Sequence, residues 1–183
     1  LHGLRRASGR WPAHALRERA GPVIDKQTHE ISIGNMLLGD EGVGCRCVQE
    51  LERRYTLPPE VQCVDGGTAG FELLPLVEDT EALIIIDALT DGRAPGTVIL
   101  VENDQVPRTL LTRTSPHQIG ISEVLATAQL TAKVPERLLL FGIEPKNLQV
   151  QIGLSPEVEA GLEKALDAVV AELCAMGHTL VEN

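Results

Sequence analysis

From Glu30 onward, short apolar runs alternate with stretches whose apolar positions return at helical spacing. Ile31 and Ile33 predict a short strand over 31–33, followed by a glycine-rich loop. Val43, Cys47, Leu51 and Tyr55 then recur every fourth residue, predicting a helix that Asp40 would N-cap and that Pro58 and Pro59 would end. Residues 61–64 predict a second strand, Asp65-Gly66-Gly67 a turn, and residues 71–77 an amphipathic helix. The run 82–86 is apolar without alternation, as expected of a central parallel strand covered on both faces, and Asp87 stands at its carboxyl end. A strand over 97–101, a polar connection, a helix over Ile119–Leu130 and a strand over 138–143 complete the middle of the chain. The last helix is punctuated at both ends: Ser155 as N-cap, Pro156 at the first position, a stripe of Val158, Leu162, Leu166, Val169, Val170 and Leu173, and Gly177 as the stop.

Strand, helix, strand, helix is the grammar of βαβ units, so the fold class is α/β with a mostly parallel sheet. With 183 residues and 2% aromatics, one domain with a core of Leu, Val, Ile and Ala is expected. Residues 1–28 break the rhythm, holding five arginines, one lysine, the lone Trp11 and two prolines. They read as a basic extension, disordered or a non-native start, ahead of a single folded unit over 29–183. Arg5 and Arg6 are followed by no apolar segment of the kind an export signal needs. The net charge of −10 makes nucleic acid an unsuitable partner, and no apolar run nears the roughly 20 residues of a membrane span. Four cysteines without a CxxC pair suggest neither a structural zinc nor a disulfide framework, and a reducing cytoplasm is the expected compartment.

In open α/β sheets, ligands bind at the carboxyl ends of the strands. That rule nominates Asp40 and Glu41 after the first strand, Asp65 after the second, Asp87 at the end of the third, and the loop Ser115-Pro116-His117-Gln118. Gly34 to Gly39 has the glycine spacing of a phosphate loop, yet Asp40 and Glu41 stand where such a loop needs Lys and Ser or Thr. Carboxylates there suit a cation or a peptide backbone instead. Each candidate also has a structural reading. Glu41 could serve the helix macrodipole, Asp87 could cap a turn, and His117 could be a loop histidine. Cys45 and Cys47 diverge by about 200° on a helix and cannot share a metal, while Cys63 and Cys174 read as small buried hydrophobes.

Four strings, taken together and in order, resemble the [NiFe]-hydrogenase maturation endopeptidases. They are Gly34-Asn35-Met36-Leu37-Leu38-Gly39-Asp40-Glu41-Gly42-Val43-Gly44, Asp65-Gly66-Gly67-Thr68-Ala69-Gly70, Ile84-Ile85-Ile86-Asp87-Ala88 and Ser115-Pro116-His117-Gln118. The resemblance implies a three-layer sandwich, a twisted sheet of about five strands with helices on both faces. It also implies an endopeptidase that removes the C-terminal extension of a hydrogenase large-subunit precursor after nickel insertion. Carried over position by position, Glu41, Asp87 and His117 are the expected catalytic and nickel-recognition residues, and Asp65, Gly66, Gly67 and Thr68 shape the substrate cleft. Two carboxylates and an imidazole suit a borderline divalent ion with positions left open for other ligands. The nickel belongs to the substrate, and no tightly bound cofactor of the enzyme's own is expected. One departure is that the first strand is short, with polar Lys26 to Glu30 where the family has a longer apolar run. Two other classes fit the acids in outline: a receiver-like metal-dependent phosphoacceptor module and a non-catalytic metal-binding chaperone.

Overall fold

The computed structural model describes residues 5–7, 28–32, 39–66, 70–78, 80–113, 119–148 and 152–183. In chain order the strands are β1 Arg5–Ala7, β2 Thr28–Ser32, β3 Tyr55–Thr56, β4 Val61–Asp65, β5 Ala82–Ala88, β6 Val98–Glu102, β7 Arg137–Ile143 and β8 Val181–Glu182. The helices are α1 Val43–Arg54, α2 Leu74–Glu78, α3 Gln105–Arg113, α4 Ile119–Leu130 and α5 Pro156–Ala175, with short 3-10 helices at Gly39–Gly42 and Gly70–Leu73. The architecture is α/β.

Six strands form one sheet in the order β1-β6-β7-β5-β2-β4, and β3 pairs with β8 in a small second sheet. The pairs β4–β2, β2–β5 and β5–β7 are parallel, whereas β6 runs antiparallel to β7 and β1 antiparallel to β6. The sheet is therefore mixed at one side and holds one more strand than the sequence suggests, because Arg5–Ala7, inside the segment read as an extension, pairs with β6. After β2 the chain crosses through α1 to β4 on one side, then returns to β5 on the other. The strand order thus reverses between β2 and β5, which is where a doubly wound sheet opens a crevice at its carboxyl rim.

Alternate residues of the central strands feed two cores, as the pleat requires. On one face Ile84 and Ile86 of β5 and Leu139 and Phe141 of β7 pack with Val43, Cys47 and Leu51 of α1 and with Val158, Leu162 and Val169 of α5. On the other, Leu83, Ile85, Leu138 and Leu140 pack with Val77 of α2, Val106 and Leu110 of α3, and Val124 and Leu125 of α4. Burying each such Leu or Ile contributes about 1.5–3 kcal/mol, so the unbroken run of β5 anchors the molecule from both sides.

Several local expectations change. Helix α3 fills what reads as a polar connection; Pro107 falls in its first turn, where a missing N–H costs nothing, and Val106 and Leu110 form its buried side. Residues 70–78 split into a 3-10 helix and the short α2, whose second residue is Pro75. Helix α1 has Gly42, not Asp40, at its N-cap position. Of the two cysteines read as buried, Cys63 is half-buried and Cys174 exposed.

Candidate active site at the carboxyl rim

The β2-to-α1 connection and the end of β5 meet at the strand-order reversal. The Gly39–Gly42 turn, positioned by positive-φ Gly39, packs against β5 and buries all four of its residues. Glu41 is 3% exposed and Asp87 fully buried. One Glu41 oxygen, Oε2, lies buried and accepts no hydrogen bond among the described residues. Asp87 Oδ1 accepts the Ala88 N–H at 2.7 Å. Burial pushes the Asp87 carboxyl well above the usual carboxylate range; the Ala88 N–H opposes this, and the nearby Glu41 charge adds to it. Two buried carboxylates near enough to feel each other's charge favour either a retained proton or a cation nearby.

The sheet register places Asp87 opposite Gly142, one residue before both strands end. A Cβ on Gly142 would fall 2.5 Å from Leu89 Cδ2, so the glycine leaves room for Leu89 to fold back beside the strand end. Leu89 N in turn donates to Ile143 O at 2.9 Å, closing the rim behind Asp87.

Two further buried carboxylates frame this pair. Asp40, 1% exposed, accepts Lys146 N and Asn147 N on Oδ2 at 2.9 Å each, Ser155 N on Oδ1 at 2.7 Å and the Ser155 hydroxyl on Oδ2 at 3.1 Å. Ser155 does occupy the N-cap position of α5 with Pro156 after it, but its hydroxyl serves Asp40 instead of the helix. Glu144 accepts Asp91 N at 2.8 Å and Gly92 N at 3.3 Å, tying down the loop that leaves β5. The β7-to-α5 connection therefore holds the turn that carries Glu41 and, through Glu144, the loop after Asp87. Sequence reasoning missed both roles. The available signal was two adjacent acids in one tight turn, of which one could be structural.

Asp65 ends β4 at the same rim, and the Cys45 thiol of α1 donates to its Oδ1 at 3.4 Å. Gly66 is buried behind it. The structure thus brings Glu41 to Asp87 and sets Asp65 and Gly66 on the adjoining loop. Gly67, Thr68 and His117 lie outside the described residues. Among the described residues no three His, Cys, Asp or Glu side chains gather into a metal cluster. The donor set suits a divalent ion nonetheless, since among the described residues Glu41 Oε2 is a buried oxygen with no hydrogen bond to displace.

The sequence matches the hydrogenase maturation protease family over residues 45–172. It is 43% identical over 148 residues to the hydrogenase 2 maturation protease of Escherichia coli strain K12, covering 80% of this chain and 90% of that protein. It is 42% identical over 149 residues to the hydrogenase expression/formation protein HupD of Rhodobacter capsulatus, covering 80% and 71%. Among solved structures, it is similar to the hydrogenase maturating endopeptidase HybD from E. coli, with a TM-score of 0.82 and 40% identity over 86% of this chain and 98% of that one.

Proposed function

The chain belongs to the hydrogenase maturation protease family, peptidases that process the C-terminus of the hydrogenase large subunit, and on that premise we propose that it reads nickel already seated in the precursor. Glu41, Asp87 and His117 are the side chains that meet this nickel, and the metal is supplied by the substrate. The observation that carries the reading is the buried Glu41–Asp87 pair at the strand-order reversal, with Glu41 Oε2 accepting no hydrogen bond among the described residues. Such a pair is costly to keep ionised unless something cationic occupies it during the working cycle.

Two carboxylates and an imidazole leave coordination positions for the precursor's own ligands, so docking would set the scissile peptide bond at a fixed place in the crevice. Asp65, Gly66, Gly67 and Thr68 line the approach of the C-terminal extension. Hydrolysis then needs a water activated at the rim, by the bound metal or by Glu41 or Asp87, to attack the peptide carbonyl. The scaffold acts as a three-layer sandwich whose carboxyl rim holds these groups steady. Among the described residues no helix is long and apolar enough to cross a membrane, and the cytoplasm, where precursors are made, is the proposed place of action.

The test is incubation with nickel-loaded and nickel-free precursor, followed by mass measurement of the large subunit. Cleavage only of the loaded form is expected, and its loss in His117→Ala. Equal cleavage of both forms, or an unimpaired His117→Ala, would overturn the nickel-reading assignment. Absence of cleavage from either form would favour the chaperone reading. The phosphoacceptor alternative has little support, because the chain belongs to a family of peptidases.

A further inference from the structure

Asp40 stands next to Glu41, and among the described residues its carboxylate accepts hydrogen bonds from Lys146, Asn147 and Ser155 alone. Three donors converge on Oδ2 and one on Oδ1, so both oxygens are engaged. Three of the four are backbone N–H groups, which cannot swing away as a side chain can. The contact is reciprocal, because Asp40 N donates to Asn147 O at 3.3 Å. Charge-assisted bonds of this kind are the stronger class. An aspartate that merely started α1 would have bonded the N–H groups of its own helix, yet that helix has no side-chain cap.

We propose, resting on the nickel-reading assignment above, that Asp40 is a positioning residue: it latches the Gly39–Gly42 turn to the β7-to-α5 connection and so holds Glu41 beside Asp87 before any metal arrives. The physical need is clear. Glu41 is almost fully buried, and among the described residues its Oε2 has no hydrogen bond to keep it in place. Without a rigid turn the cheapest relief is for Glu41 to rotate out to solvent. Asp40 removes that route by fixing the backbone at the preceding residue. The same latch gathers Lys146, Asn147 and Ser155, the two sides of a segment whose Ile152 is 93% exposed.

Residues that orient metal ligands typically alter metal affinity by roughly 10- to 100-fold when replaced. Asp40→Asn keeps the shape but turns one acceptor into a donor, which must then face the Ser155 N–H or the Lys146 and Asn147 N–H pair. The experiment is calorimetric titration of Ni2+ alone into the full chain, for wild type, Asp40→Asn, Glu41→Gln and the double variant, each with its unfolding curve. Asp40→Asn is expected to weaken Ni2+ binding by about tenfold or more, and to cause no further loss in the Glu41→Gln background, because it acts through Glu41. Wild-type affinity in Asp40→Asn, or losses that multiply in the double variant, would overturn the proposal while leaving the site assignment standing. Wild-type affinity in Glu41→Gln would remove the site assignment and the proposal together. Should Asp40→Asn fail to fold, Ser155→Ala deletes the single hydroxyl bond, and a smaller loss of about two- to threefold, again absent in the Glu41→Gln background, is required.

Discussion

Gly96 offers a quantitative probe of how the loop behind Asp87 is held. It adopts a φ of +74°, and a Cβ there would lie 1.9 Å from Glu157 O and 2.7 Å from Glu157 C, both backbone atoms of the first turn of α5. Neither can rotate away, so loop and helix must separate by roughly 1.5 Å to reach ordinary contact. Gly161, one turn further along, closes the same gap, its own Cβ position being 2.7 Å from Gly96 O. Gly92 is the natural control: its φ is +72°, yet nothing lies within 4 Å of a Cβ there. Alanine at either position meets the left-handed penalty of about 1–2 kcal/mol. Only at Gly96 is overpacking added, at about 1–3 kcal/mol more. Gly96→Ala should therefore be less stable than Gly92→Ala by about 2 kcal/mol, which at a urea slope of about 2 kcal/mol per molar is a midpoint lower by about 1 M. Equilibrium unfolding in urea followed by far-ultraviolet circular dichroism measures this. Because Gly96 N also donates to Glu144 O at 2.8 Å, precursor processing by folded Gly96→Ala should be slower as well. Midpoints for the two variants within about 0.3 M of each other would refute the packing argument.

Other substitutions probe the charges. Burial holds the Asp87 proton more tightly in the native state than in the unfolded chain. Stability should therefore fall as pH rises above about 4, by up to about 1.4 kcal/mol per pH unit, until the native group ionises too. Metal-free Asp87→Asn should accordingly melt higher than wild type at pH 7, with the gain fading toward pH 4, while losing processing; a gain that grows toward acid would contradict the assignment. Arg137 pairs with Glu172, which is 1% exposed, at the amino ends of the strands and away from the rim. Arg137→Ala should cost about 3–5 kcal/mol in urea unfolding yet leave kcat/KM per folded molecule unchanged. Glu163→Gln breaks the exposed 2.6 Å pair with Arg54 and should cost under about 1 kcal/mol, a difference that added salt erases.

Much of the scaffold was legible from local pattern. The apolar run at 82–86 became β5, the four-residue rhythm of Val43, Cys47 and Leu51 became α1, and Pro156 and Gly177 bracket the last helix as their chemistry demands, with Ser155 at the N-cap position though its hydroxyl bonds Asp40. These features depend on neighbours within one or two turns or on the strand pleat, so the order of residues contains them. Elements whose stability comes from elsewhere were not legible. The β6–β1 pairing, the β3–β8 ribbon and α3 with its early proline are decided by what they pack or pair with.

The same division runs through the site. Carboxylates after β2 and at the end of β5 follow from the sequence, because the rule for α/β sheets needs only strand order and loop position. Which of two adjacent acids faces the crevice does not, since Asp40 and Glu41 are equal in local propensity. Only when Lys146, Asn147 and Ser155 arrive from more than a hundred residues away does Asp40 acquire its four donors, leaving Glu41 to face Asp87. Distant backbone amides have no signature in the linear order; they exist as partners only once the chain has closed.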